Sequence, residues 1–188
     1  MRKTMLKITG ALLLAALAAS PGWAQKKTLA VVVKGLDNPF FTVLGDGCAL
    51  WNKENPSSEY TCLYTGPASS ADEAGEIQIV EDLINKGVAG IAISPSNAPA
   101  MANMLKAKQP KMPIMTIDAD LSSADCALRK TYLGTNNYDM GVLMAKHLKQ
   151  HKPKGGSVCL QLGNVAADNI NARAAGFRDT ISGKKGLT

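Results

Sequence analysis

The sequence predicts an α/β fold, a parallel sheet with helices on both faces, and three observations carry that expectation. Short runs such as "TLAVVV" (28–33), "VAGIAIS" (88–94) and "MPIMTID" (112–118) are continuously apolar. Strands covered on both faces read this way, whereas half-exposed strands alternate. The segments between them carry helical periodicity and helix-start signals, Asn38-Pro39 and Asn97 with Pro99 among them. Strands alternating with helices imply right-handed βαβ crossovers in one parallel sheet.

The elements follow in order. After the first strand, Asn38 can cap the free N–H groups of a first turn and Pro39 has no N–H to lose, so a helix is expected from there to about Asn55. Gly45 and Gly47 weaken that helix, and close packing against a neighbour is one reason to keep them. "EYTCLY" (59–64) reads as the second strand. "SADE" (70–73) fits the capping box S-x-x-E and opens a helix whose Ile77, Ile79, Val80, Leu83 and Ile84 recur at helical spacing until Gly87. The third strand (88–94) leads to a helix capped by Asn97, with Met101, Met104, Met112 and Met115 as core filling. The fourth strand (112–118) is followed by a fifth, "KTYLGT" (130–135), and by a helix after Asn137. A strand "SVCLQLG" (157–163) and a helix from about Asn169 to Ile181 complete the series.

The first 24 residues, "MRKTMLKITGALLLAALAASPGWA", combine a positive start (Arg2, Lys3, Lys7), a short apolar run and small residues before Gln25. That is the anatomy of a cleaved secretory signal, too short for a membrane span, and it predicts export and a mature chain that does not span the membrane. Three of the 21 basic residues leave with it, so 18 face 15 acidic ones and the net charge falls from +6 to +3. No run of five or more Lys/Arg occurs, which gives no support to nucleic-acid binding. Four cysteines remain: Cys48, Cys62, Cys126 and Cys159. They have no CxxC or Cys/His ligand spacing, so no metal site and no cofactor is expected. Cys48 and Cys62, 14 positions apart on a helix and the next strand, are the favoured bridge, with free buried thiols as the alternative.

In an open parallel sheet, ligands bind beyond the carboxyl ends of the strands. That rule selects "KGLDNPFF" (34–41), "SPSN" (94–97), "DAD" (118–120) and "NVAADNINAR" (164–173). Phe40 and Phe41 can offer an aromatic face to the C–H face of a sugar ring, while Asn38, Asp118 and Asp120 can hydrogen-bond hydroxyls. Core packing of the two rings and turn-capping by the aspartates are the ordinary alternatives. Lys34, ending an apolar strand, either meets an acidic or polar ligand group or reaches to solvent.

"TLAVVVKGLDNPFF", "LINKGVAGIAISPSN", "MPIMTIDAD", "TYLGTNNYDMGVLMAKHL" and "NARAAGFRD", in that order, resemble the ribose-binding-protein group of type I periplasmic sugar-binding proteins. The resemblance implies two Rossmann-like lobes that close on a sugar or polyol, a periplasmic location, and delivery to an ABC permease in the inner membrane and sometimes to a chemoreceptor. It makes Asn38 and Asp118 hydroxyl partners and places Phe40 and Phe41 about the sugar. Arg173 falls where the family has an arginine from the second lobe, with Asn169 one helical turn earlier on the same face. Residues 25–136 then form the first lobe and 137–188 the beginning of the second, incomplete because family members are considerably longer. Two departures bear on specificity: Lys34 stands where ribose binders have a serine, and Ala119 followed by Asp120 replaces the arginine after the aspartate.

Other classes fit less well. A lac-repressor-like regulator would begin with a DNA-binding headpiece where this chain has its apolar leader. A sugar sensor feeding a receptor kinase remains open beside transport. No G-x-S-x-G or P-loop appears, "GDGCAL" (45–50) lacks a third glycine, and His147 and His151 lie on the polar face of a lysine-rich helix. Asp118 and Asp120 would share a face if their strand ran through both, but a glycosidase pair must flank the bond it cleaves. No enzyme is predicted.

Overall fold

The computed structural model describes residues 25–184, so the leader lies outside the described residues. Five parallel strands form one sheet: β1 (Lys27–Val32), β2 (Tyr60–Thr65), β3 (Gly90–Ile93), β4 (Ile114–Ile117) and β5 (Tyr132–Leu133). Their spatial order is β2-β1-β3-β4-β5. The chain moves outward from β1 to β2, then crosses back over β1 to β3. The strand order therefore reverses between β1 and β3, which is where such sheets open a crevice.

The helices are α1 (Thr42–Glu54), α2 (Glu73–Asn85), α3 (Ala98–Lys108), α4 (Asn137–His151) and α5 (Asp168–Ser182). Asn38 and Asn97 cap as expected, accepting from the backbone N–H of Phe40 and Ala100. The first of these opens a short 3-10 turn, Pro39–Phe41, that feeds α1. Ser70 does not cap α2. Asp72 does, accepting from Gly75 N, because Ser70 N and Oγ are both taken by Asp37 at 2.9 and 2.7 Å. A residue free to cap in the sequence is claimed here by a carboxylate 33 positions away.

The core lies between the sheet and the α2/α3 layer. Ala30, Val32, Ile91, Ile93 and Ile114 meet Val80, Leu83, Met101, Ala102 and Leu105, all nearly inaccessible to solvent. On the opposite face α1 packs beside β2, tied to it by the Cys48–Cys62 disulfide with Cα atoms 5.3 Å apart. Gly45 lies against the Tyr64 ring, where a Cβ would come within 3.0 Å, but Gly47 has no such neighbour.

The expected strand at 157–163 does not form a ladder. No other described segment pairs with it, and a strand without a hydrogen-bonding neighbour is not stable alone. Instead α4 and α5 pack closely on each other, backbone approaching glycine. A Cβ on Gly141 would fall 2.0 Å from Arg173 O, and one on Gly176 would fall 2.1 Å from Tyr138 O. Among the described residues, no helix is long and apolar enough to cross a membrane.

Candidate functional site

The carboxyl ends of β1, β3 and β4 converge with the start of α5. Lys34, two residues past β1, lies 3.1 Å from Asp118 Oδ2, and its Nζ donates to Asn169 Oδ1 at 3.2 Å. Ser94, one residue past β3, donates its hydroxyl to the same Asp118 oxygen at 2.9 Å. Asp118 ends β4 in the left-handed region, φ 59°, a conformation that Asp and Asn tolerate better than most residues.

That turn decides the relation of the two aspartates. The strand stops at Ile117, so Asp118 and Asp120 do not continue one strand face. Asp120 is instead held by Arg129, through Nε at 2.7 Å and Nη2 at 2.5 Å, and accepts from Thr116 Oγ1 at 2.6 Å. Burial pushes the Asp120 carboxyl up, but these donors outweigh it and hold the group below its ordinary value.

Tyr132 links the two sides of the cleft. Its hydroxyl donates to the Asp118 carbonyl at 2.8 Å and accepts from Asn137 Nδ2 at 3.4 Å. Asn137 Oδ1 in turn accepts from Arg173 Nη2 at 2.7 Å. With Asn169 and Arg173 one turn apart on α5, the contacts form a circuit: Lys34, Asp118, Tyr132, Asn137, Arg173, Asn169 and back to Lys34. Beside it lies a pocket of about 410 Å³ lined by Asp120, Tyr132, Asn136, Asn137, Asp168 and Asn169 among others. Burial and the neighbouring Asp120 push the Asp168 carboxyl up.

The two phenylalanines part company. Phe40 is 62% exposed, while Phe41 is 1% exposed and meets Phe40 edge to face, with ring centroids 5.1 Å apart. Phe41 thus belongs to the core and supports the ring that is available at the rim. Asn38, half-buried, uses its Oδ1 on the cap of the turn that carries both rings. Of the eight expected site residues, Lys34, Asp118, Asn169 and Arg173 are joined in the circuit, Asp120 borders the adjoining pocket, and Asn38, Phe40 and Phe41 form the turn after β1.

Tyr132, Asn137 and Arg129 were not legible as site residues, whereas Ser94 opens "SPSN", which the strand-end rule selects without giving it a role. A further link crosses from the segment before α5: Asn164 Nδ2 donates to Glu73 Oε1 at 2.5 Å and to Ser96 O at 3.2 Å. A hollow of about 510 Å³ between residues 156–160 and α5, lined by Val158, Leu160, Phe177 and Ile181, contains none of the polar groups of the circuit.

Known proteins are similar to this chain in sequence and fold. A D-ribose/D-allose-binding protein of Pseudomonas aeruginosa is 26% identical over 161 residues, covering 84% of this chain and 50% of its own length. A ribose import binding protein of Salmonella typhimurium is 27% identical over 161 residues, with 85% and 52% covered. Among solved structures, an ABC transporter solute-binding protein of Agrobacterium vitis with bound D-fucose superposes with a TM-score of 0.76 at 26% identity, covering 84% of this chain and 54% of that one. One from Burkholderia graminis in complex with D-arabinose gives 0.73 at 28% identity, with 88% and 55% covered. The chain thus spans about half the length of the curated relatives it matches. The periplasmic binding protein domain family matches residues 29–188. With the parallel sheet, its switch point and the polar circuit there, this makes the chain a member of the periplasmic binding protein domain family.

Proposed function

We propose that this chain is the sugar- or polyol-binding component of an ABC importer, working in the periplasm after removal of residues 1–24. Residues 25–136 serve as the first lobe and 137–188 as the beginning of the second. The observation that carries this reading is the circuit itself. Asp118 from the sheet is joined to Asn169 and Arg173 of α5 through Lys34, Tyr132 and Asn137, and the turn after β1 carries the exposed Phe40. Donors and acceptors from both elements, with an exposed aromatic ring on the turn after β1, suit a ring bearing several hydroxyls. A ligand touching both sides favours the closed state by its contacts with each, which is how binding becomes a shape that a membrane permease can read. The names of the relatives support the same class, since they are binding and import proteins for ribose and allose.

A thermal-shift screen of sugars and polyols tests the reading. At least one should raise the melting temperature of the full-length product. Asp118→Asn should weaken that ligand by about 1–3 kcal/mol, because a carboxylate accepts where an amide accepts less strongly and also donates. A ligand whose affinity is unchanged in Asp118→Asn removes Asp118 from the site.

A further inference from the structure

We propose that Lys34 sets the ligand class, so that the cleft takes a sugar bearing a carboxylate, an aldonate or a uronate, seated with that group against Lys34 and Arg173. The proposal rests on the sugar-binding reading above and names the substrate of that same site.

Three basic side chains reach the cleft, and they are neutralised to different degrees. Arg129 has its charge paired by Asp120, which takes two of its N–H groups. Lys34, with 14% of its side chain exposed, has Asp118 on one side and only the neutral amide oxygen of Asn169 on the other. An ammonium carries three N–H donors and no acceptor, so a third remains for a ligand. Arg173 is the least satisfied. Its Nη2 reaches the neutral Asn137, its Nε is buried without a partner, and among the described residues no carboxylate pairs with it.

Asn169 joins the two cations: it accepts from Lys34 and sits one turn before Arg173 on α5. Lys34 from the sheet side and Arg173 from α5 are therefore brought to the same residue, Asn169, from two elements. Groups that can only donate are best met by a group that only accepts. A carboxylate offers about four lone-pair sites and no hydrogen, and its two oxygens match the fork of a guanidinium. A hydroxyl in the same place brings a hydrogen that neither cation can accept.

The acidic side of the cleft orients the rest of the molecule. Asp118 Oδ2 is taken by Lys34 and Ser94, leaving Oδ1 for a ring hydroxyl, and Asp120 and Asp168 line the adjoining pocket. With the acid group on Lys34 and Arg173, the ligand's charge is met by two cations, one of which also neutralises the neighbouring Asp118. A serine in place of Lys34 would supply neither the charge nor the reach.

Isothermal titration of the full-length product tests this with matched pairs: D-glucuronate against D-glucose, D-galacturonate against D-galactose, and D-gluconate against D-glucitol. The acid of at least one pair should bind more than about tenfold tighter than its neutral partner. Lys34→Gln should reduce that ratio at least about fivefold, and Lys34→Arg should keep it. Should Lys34→Gln fail to fold, raising the salt from about 0.05 to 0.5 M decides instead, since it must weaken the acid and spare the neutral sugar. Neutral sugars binding as tightly as their acids overturn the inference and leave the sugar-binding reading standing, as does a ratio that Lys34→Gln, folded, leaves unmoved. If no member of any pair binds and no other sugar does, the sugar-binding reading fails and the inference with it.

Discussion

The two faces of the sheet are built from the same five strands and are finished differently. Against one face, α2 and α3 close a layer in which Val32, Val80, Ile93, Met101 and Leu105 are within 1% of full burial. Against the other, α1 covers β2 and the near side of β1, and beyond it a groove of about 660 Å³ runs over Leu29, Val31, Ala92 and Met115. Leu29 is 37% exposed there and Val43, on α1, 72%. Both sets of strand residues are apolar, so the difference does not come from the strands. It comes from how many helices each face has received. Apolar character in a strand tells which surfaces seek cover, not whether cover is present.

Mutations can break that contrast. Leu105→Ala, on the closed face, should cost about 3 kcal/mol, because the surrounding helices and strands cannot collapse into the space left. Leu29→Ala, on the open groove, should cost less than about 1 kcal/mol, since much of that side chain already meets solvent. Urea denaturation of the two variants measures both, and equal losses would mean that the groove is covered in solution. Somewhat smaller than the first effect is that of the disulfide anchoring α1 to β2. The double variant Cys48→Ala, Cys62→Ala should lose about 2–3 kcal/mol, as the closed loop of the unfolded chain is released. A loss confined to the α1 side would appear as early hydrogen exchange in α1 and β2, with α2 and α3 still protected.

A further effect is distinguished by its pH dependence. Glu76 is buried on the closed face, accepting from Ser96 N at 2.9 Å, with its other oxygen unpartnered. Burial pushes its carboxyl up to about 7, against the opposing pull of Ser96 and of the nearby Lys34. The folded chain thus holds this proton more tightly than the unfolded chain. The stability it confers is complete below the ordinary value near 4.5 and is lost as the pH rises through 7. Glu76→Gln should therefore raise the melting temperature at pH 8, by the equivalent of about 2 kcal/mol, and change little at pH 4. A stabilisation that is the same at both values would assign the effect to packing rather than to the proton.

What could be read in advance followed from local chemistry. Continuous apolar runs identified three of the five strands, "EYTCLY" and "KTYLGT" the other two, and the Asn38 and Asn97 caps marked turns the structure keeps. The spacing of Cys48 and Cys62 on neighbouring elements anticipated their bridge. The failures share one cause, competition from residues distant in sequence. Ser70 satisfies a capping rule locally, yet Asp37 takes it. Residues 157–163 have a strand's composition, yet pairing requires a neighbour that composition cannot supply. In the site, rules for strand ends found Lys34 and Asp118, and the resemblance to a family added Asn169 and Arg173. Tyr132 and Asn137 stayed invisible because their role depends on a two-residue strand that happens to lie beside Asp118.

The left-handed backbone of Asp118 bears on which experiments mean what they claim. An alanine there loses the carboxylate and must also adopt a conformation costing it about 1 kcal/mol, so its weakened binding would mix lost recognition with a distorted strand end. Asparagine accepts the same φ and keeps the shape while removing the charge and turning one acceptor into a donor. The vocabulary open to this position is therefore narrow: Asp, Asn or Gly keep the bend, and of these only Asp also neutralises Lys34. One residue answers to two masters, the turn and the ligand, and a change in what the cleft binds has to find its freedom elsewhere, at Lys34 first of all.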